Sequence, residues 1–398
     1  MTKKKSTANK AAKKATKKAV KKAKSAVNAK DWYVIIMAGG RGERFWPVSR
    51  EKSPKQLITL LGKRSFLQQC YDRVAAVVPN KNIIIVTNTV QAPQVAKQLP
   101  KLPKENIVAE PCGRDTCAAV TLGAAIVGQR STNGVMAVLP ADHVIPDEKK
   151  FQQVLRDSLD LASRGQVIVT IGIKPTEPAT GYGYIQKGKP LPAPSGVKKY
   201  KTKFQKAERF VEKPKLATAE KYLQSGDYAW NAGMFIWSFV TITEALQKHQ
   251  PDMEAACHRW FEAAASPIKL KRVLNKEYPE IRKVSIDYAL MEKVQNVVVA
   301  DGAFAWDDLG AWTALARHLK ADRFGNCAVA ELVQVDAARN IVFDARTKNR
   351  TPIALVGVKD TIVVQTDDAL MVAHKSEAQK IKELVKHLGS TKQFKKLV

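Results

Sequence analysis

Three glycines and two arginines crowd into Gly39-Gly40-Arg41-Gly42-Glu43-Arg44, and Lys55 follows behind Pro54. Glycines let a backbone turn tightly and gather several N–H groups at one spot, an arrangement that holds a phosphate. Arg41 and Arg44 add fixed positive charge and forked donors. Pro54 restricts the backbone just ahead of Lys55. The turn is neither a P-loop nor a dinucleotide fingerprint, since it lacks G-K-[ST] and its glycines do not follow G-x-G-x-x-G. The competing description is a surface turn with solvated arginines; the spacing favours phosphate. A second chemical candidate is Asp142, in Pro140-Ala141-Asp142-His143. A carboxylate just past a buried strand can bind a divalent cation, cap a helix or form an ion pair. His143 suits a structural role better, because hard Mg²⁺ prefers oxygen ligands.

These residues need elements to position them. Tyr33 to Met37 is an apolar run long enough for one buried strand, and the glycine turn follows it directly. Ser65 with Gln68 reads as a capping box opening a helix to about Val78. Further strands are expected at Lys81 to Thr87, Asn106 to Val108, Val135 to Leu139 and Val167 to Ile173. Helices are expected from Thr89 to Leu99 and, after Glu110–Thr116, along an Ala-rich run to about Gly128. Alternating strands and helices imply βαβ units, a parallel sheet and ligands beyond the carboxyl ends of its strands. Gly39–Arg44, Glu110–Thr116 and Pro140–His143 all fall at such ends. Pro190 to Lys201 reads as a surface loop. From Arg323 to His374 the pattern changes to short apolar runs (Cys327–Val335, Asn340–Phe343, Ile353–Val358, Thr361–Gln365), which suggest a small β-rich domain. Ala378 to Leu388 reads as a closing amphipathic helix. The expected division is therefore 1–30, a Lys/Ala-rich tail; 31–320, the α/β unit; and 321–398, the β-rich unit.

The 398 residues suit one large domain plus a smaller one, and the 45% apolar content is that of an ordinary globular chain. No apolar run approaches the ~18 residues of a membrane span. Five cysteines without a C-x-x-C pair indicate neither a disulfide framework nor a zinc site, and a reducing, cytoplasmic setting fits best. The net charge of +29 is unevenly placed: residues 1–30 hold 12 lysines and no acidic residue, and the remainder keeps an excess of +17. So dense a cationic segment repels itself and is expected to be disordered when free. It is neither a secretory signal nor an arginine-rich transit peptide. It serves either non-specific contact with nucleic acid or an anionic surface, or solubility alone. A basic body suits anionic substrates.

The run GGRGERFWPVSREKSPKQ resembles the nucleotide-binding signature of the sugar-1-phosphate nucleotidyltransferases, and most nearly that of the mannose-1-phosphate guanylyltransferases. Later motifs share the resemblance: LPADH around Asp142, TGYGYI around Gly183, FVEKP with Glu212 and Lys213, WNAGMF with Asn231, SIDYALME with Asp287, and WDDLGAW with Asp308. The likeness covers roughly residues 32–390. It implies a Rossmann-like, mostly parallel α/β catalytic domain with a small C-terminal left-handed β-helix-like domain. It implies GMP transfer from GTP to mannose 1-phosphate, giving GDP-mannose and pyrophosphate. Carried over residue by residue, it places Arg41 and Lys55 on the triphosphate and Lys213 on the sugar phosphate. Gly39, Gly40, Gly42, Arg44, Glu110, Pro111, Arg114 and Thr116 surround the nucleotide, and Gly183, Glu212, Asn231 and Asp287 the sugar. Asp142 and Asp308, 166 positions apart, share Mg²⁺ or another divalent cation. Two positions depart from the family pattern: Asp115 replaces the usual asparagine, and Asp307 stands where serine is common. Longer relatives carry a phosphomannose isomerase domain, so that activity is not expected within these residues. Three alternatives stay open: another NTP or hexose 1-phosphate, a non-catalytic nucleotide-sugar sensor, and a nucleic-acid-associated protein acting through its tail. Intact Lys55, Asp142 and Asp308 speak against the sensor. Oligomeric state is not fixed by the sequence, and a homodimer is one open arrangement.

Overall fold

A computed structural model describes residues 29–197 and 199–398. The expectations for the first 28 residues of the tail lie outside them. The elements in chain order are β1 (Trp32–Met37), α1 (Phe66–Ala75), β2 (Ile83–Asn88), α2 (Ala92–Gln98), β3 (Ile107–Glu110), α3 (Asp115–Arg130), β4 (Val135–Pro140) and α4 (Glu148–Arg164). Next come β5 (Ile168–Ile173), β6 (Tyr184–Pro190), β7 (Phe204–Val211), α5 (Leu216–Ser225), β8 (Tyr228–Ser238), α6 (Phe239–His249), α7 (Pro251–Ala263), α8 (Pro267–Glu277) and β9 (Val297–Asp301). The C-terminal part has α9 (Trp312–Leu315), β10 (Cys327–Val329), β11 (Leu332–Val335), β12 (Ile341–Asp344), β13 (Ile353–Val356), β14 (Thr361–Gln365), β15 (Leu370–His374) and α10 (Ile381–Ser390).

Strands β1 to β9 form one sheet in the order β3-β2-β1-β4-β8-β5-β9-β7-β6. Its pairings orient every strand except β7 and β8 the same way. Residues of β1 alternate between two cores because successive side chains leave opposite faces of a strand. Val34 and Ile36 pack on one side with Leu67, Val74 and Leu155, of α1 and α4. Tyr33 and Ile35 pack on the other with Val120, Leu246 and Trp260, of α3, α6 and α7. Both faces are therefore covered, as a buried parallel sheet requires. Helix α3 comes close enough that a Cβ on Gly123 would stand 2.6 Å from Ile35 Cδ1.

Several boundaries differ from the sequence expectation. The capping box is present, with Ser65 Oγ accepting from Gln68 N and Gln68 Oε1 from Ser65 N, but α1 ends at Ala75. The segment after Gly183 is a strand through Pro190, paired with both β7 and β8. Within the SIDYALME motif the chain forms a short π-helical turn, Asp287–Met291.

The C-terminal strands coil as a β-helix: β10, β12 and β14 stack in parallel, β11 and β13 stack in parallel beside them, and β15 closes the stack antiparallel. Its core continues into the α/β unit. Ile341, Phe343, Ile362 and Ile381 pack in one cluster with Phe45, Trp46 and Trp312.

Candidate active site

The glycine turn leaves the end of β1 and is pinned from behind. Gln56, 3% exposed, donates through Nε2 to the carbonyls of Ala38 (2.9 Å) and Gly40 (3.0 Å). Gly42 stands at φ 62°, a left-handed conformation open to glycine, and accepts from Ser49 Oγ at 2.8 Å. With the carbonyls held, the N–H groups of Gly39, Gly40, Arg41 and Gly42 have no partner among the described residues. A run of unpaired, adjacent N–H groups is an anion cradle. The Arg41 side chain is 63% exposed and lies 3.5 Å from Glu43, while Arg44 donates to the Gly310 carbonyl at 3.3 Å.

Lys55, by contrast, is 5% exposed. Its Nζ lies 5.8 Å from the ring centres of Phe45 and Phe66, donates to Asp142 Oδ2 at 2.9 Å and also donates to the Asp308 carbonyl. Burial pushes the Asp142 carboxyl up, but the lowering influences, led by the Lys55 ammonium, together turn the net shift downward. Asp142 and Asp308 are brought together by a backbone bridge: Val144 N donates to the Asp307 carbonyl (2.9 Å) and Asp307 N to the Val144 carbonyl (3.1 Å). Asp308 Oδ1 accepts from Tyr182 Oη at 2.9 Å, and Asp308 Oδ2 has no partner among the described residues. Two hard carboxylates beside a buried ammonium fit a divalent cation that takes its other ligands from phosphate and water. No cluster of three or more His, Cys, Asp or Glu suited to a metal occurs among the described residues. His143 is a supporting residue. Burial holds it neutral, with its pKa lowered to about 4, and its Nδ1 accepts from Trp306 Nε1 at 3.1 Å.

A second cluster adjoins this one across Tyr182. Asn231 donates to Asp287 Oδ1 at 2.9 Å, and its own oxygen accepts from Gly233 N at 3.0 Å. Glu212 bonds Lys213 and presses on Gly183, where a Cβ would stand 2.5 Å from Glu212 Oε2. Burial and the neighbouring Glu212 raise the Asp287 carboxyl to about 6. Carboxylates and an amide packed this closely offer several acceptors to a polyhydroxylated ligand.

The third cluster lies at the end of β3. Glu110 is 6% exposed; burial raises it to about 7, partly offset by the hydrogen bond it accepts from the Tyr278 hydroxyl. Its Oε2 faces Gly39, where an added Cβ would stand 3.1 Å away. Pro111 follows, and Arg114 donates to the Pro279 carbonyl. Thr116 Oγ1 accepts from Ile286 N at 2.8 Å, so its side chain ties α3 to the segment that presents Asp287. Asp115 occupies a left-handed position, φ 65°, and accepts from Thr116 N at 2.8 Å. Asparagine and aspartate both tolerate that conformation, so the exchange keeps the backbone.

The nucleotidyl transferase family model matches residues 33–323, and a mannose-phosphate isomerase/GMP-like β-helix model matches residues 330–388. The chain is 39% identical over 356 residues to a mannose-1-phosphate guanylyltransferase of Salmonella montevideo, covering 89% of this chain and 73% of that one. It belongs to the nucleotidyl transferase family, on its mannose-1-phosphate guanylyltransferase branch. The xanthan biosynthesis protein XanB of Xanthomonas campestris pv. campestris (strain B100) is 37% identical over 358 residues, with the same coverage. Among solved structures, a mannose-1-phosphate geranyltransferase from Thermus thermophilus superposes with a TM-score of 0.77 at 33% identity, over 90% of this chain and 100% of that one.

For this family member the sequence named the residues of all three clusters. It missed Gln56, Tyr182 and Tyr278, which hold them in place. Gln56 ends the signature run and Tyr182 lies inside TGYGYI, so both carried a local signal. Tyr278 follows α8, 168 residues from Glu110, with nothing in the sequence to link them.

Proposed function

We infer that the chain transfers GMP from GTP to mannose 1-phosphate, releasing pyrophosphate. The observation that carries the reading is convergence. An N–H cradle, a buried lysine and two carboxylates meet at the ends of β1 and β4, and a hydroxyl-accepting cluster adjoins them. A phosphate oxygen of the sugar phosphate attacks the α-phosphorus in line; the bond to the β-phosphate bridging oxygen breaks, and pyrophosphate leaves. Little covalent chemistry falls to the protein, so positioning and charge neutralisation dominate. Lys55, Arg41 and the Gly39–Gly42 amides neutralise the triphosphate, with Arg44 beside them, and Lys213 neutralises the sugar phosphate. Glu212, Asn231, Asp287 and the Gly183 backbone orient the sugar, and Glu110, Pro111, Arg114 and Thr116 shape the base and ribose site. The family generally uses a divalent metal; Asp142 and Asp308 would hold Mg²⁺, which supplies charge neutralisation at the α-phosphate. We place the boundary between the catalytic unit and the β-helix near residue 320.

No helix among the described residues is long and apolar enough to cross a membrane, and all five cysteines are unpaired, in keeping with a cytoplasmic setting. The test is pyrophosphate release across the four NTPs and several hexose 1-phosphates. GTP with mannose 1-phosphate should give the highest kcat/KM; equal turnover with ATP or dTTP would overturn the guanylyl assignment. A chain starting at Lys30 should stay within about tenfold (~1.4 kcal/mol) of full activity. A larger loss would give the tail a part in catalysis.

A further inference from the structure

Asp307 is 6% exposed and carries more partners than its neighbour Asp308. Arg317 grips it with both arms of its fork, Nε to Oδ2 at 2.7 Å and Nη2 to Oδ1 at 2.9 Å. His318 Nε2 lies 2.8 Å from Oδ2, and Leu309 N donates to Oδ1 at 2.8 Å. The bond from Leu309 closes a turn around Asp308, and Leu309 itself sits at φ 46°, left-handed backbone that a leucine rarely adopts. Such a conformation persists only where surrounding contacts over-determine it. Arg317 also lies 3.5 Å from Glu177, at the start of the loop that carries Tyr182, the hydroxyl donor to Asp308.

We propose that Asp307 and Arg317, with His318, form a positioning clamp that fixes the Leu309 turn and thereby aims the Asp308 carboxylate at the divalent cation shared with Asp142. The proposal rests on the reading of Asp308 as a metal ligand. Asp307 touches neither substrate nor ion; it acts through the backbone on either side of Asp308. Partners that orient a ligating group are worth about 10- to 100-fold in metal affinity.

The experiment titrates the full chain with Mn²⁺ by electron paramagnetic resonance, with and without GTP, in five forms: wild type, Asp308→Ala, Asp307→Asn, Arg317→Gln and Arg317→Lys. Asp308→Ala should abolish tight Mn²⁺ binding; unchanged affinity there overturns the ligand assignment and the clamp with it. Asp307→Asn and Arg317→Gln should each weaken Mn²⁺ binding by about tenfold or more, and raise the Mg²⁺ concentration that half-saturates turnover. Arg317→Lys, which keeps charge but not the fork, should fall between Arg317→Gln and wild type. If Asp307→Asn does not fold, Arg317→Gln, at a side chain 47% exposed, carries the test. Lower melting temperatures with unchanged Mn²⁺ affinity and Mg²⁺ dependence would reduce the clamp to a fold contact and overturn the proposal.

Discussion

The Val144–Asp307 pairing joins the segments that carry Asp142 and Asp308, and Lys55 Nζ bonds both residues, Asp142 through its carboxylate and Asp308 through its carbonyl. If both serve one ion, Asp142→Ala and Asp308→Ala should each lower kcat by about 10²-fold or more, and the double variant should be little worse than the poorer single. Turnover at saturating Mg²⁺ with thermal melting checks this; a stability loss with near-normal kcat would reject the metal role. Glu110 offers a separate test with a defined sign. Its folded pKa of about 7 lies above its ordinary value of 4.5. The native state therefore binds the proton more tightly than the unfolded chain, and stability falls as pH rises from about 4.5 to 7, then levels. Glu110→Gln removes the ionisation and keeps an oxygen for Tyr278, so its melting temperature should exceed wild type at pH 8 and match it near pH 4.5. The same variant should raise the KM for GTP if Glu110 accepts from the base. A melting difference that does not vary with pH would remove the titration from Glu110. Asp142 was legible as a candidate because it ends an apolar run. Asp308 became one only through family resemblance, since nothing in a local window tells an aspartate at a strand bridge from a helix cap.

In the proposed function the signature turn contributes its backbone N–H groups as well as the Arg41 side chain, so its backbone geometry can be tested directly. Gly42 combines φ 62° with close packing: a Cβ there would stand 2.6 Å from both Lys55 N and Lys55 Cβ. Gly42→Ala should therefore move Lys55, and kcat should fall by more than about tenfold while the left-handed strain costs about 1–2 kcal/mol of stability. Steady-state kinetics and a denaturant melt on one variant separate the effects; unchanged kcat would mean Lys55 can move without loss. Strands were the most legible elements, because β1, β2, β4 and β5 are buried on both faces and read as continuous apolar runs. Strand β6 was not legible. Only its first two residues are buried and the rest, QKGKP, is polar, so tertiary pairing with β7 and β8 decides its conformation. The π-helical turn at Asp287 also escaped notice, since its residue pattern is that of an ordinary helix.

At the scale of the molecule, the β-helix is part of the catalytic turn's foundation. Trp312 donates through Nε1 to the Trp46 carbonyl at 3.1 Å, and Trp46 donates to the Leu397 carbonyl at 2.7 Å. Phe45, Trp312 and Phe343 pack in sequence as tilted rings, with ring centres 5.2 and 5.3 Å apart, and Arg50 reaches Asp368 at 2.9 Å. The sequence shows two patterns, one of long alternating elements and one of short strands, and so suggests two units. It cannot show that they share a core, because Phe45 and Phe343 are far apart in the chain and apolar residues carry no label for their partners. Two consequences separate a shared core from two independent ones. A chain ending at residue 320 loses Ile341, Phe343, Ile362, Val364 and Ile381, which cover Phe45, Trp46 and Trp312, so it should aggregate or lack activity. Phe343→Ala, a truncation at 5% exposure, should cost about 3–5 kcal/mol. Because the missing ring supports Trp312 and through it Phe45, the KM for GTP should rise even where the variant is fully folded. Thermal unfolding followed both by circular dichroism and by loss of GTP binding should give one coincident transition in wild type and variant. Two separated transitions, with GTP binding surviving the first, would show that the β-helix melts alone and that the signature turn stands without it.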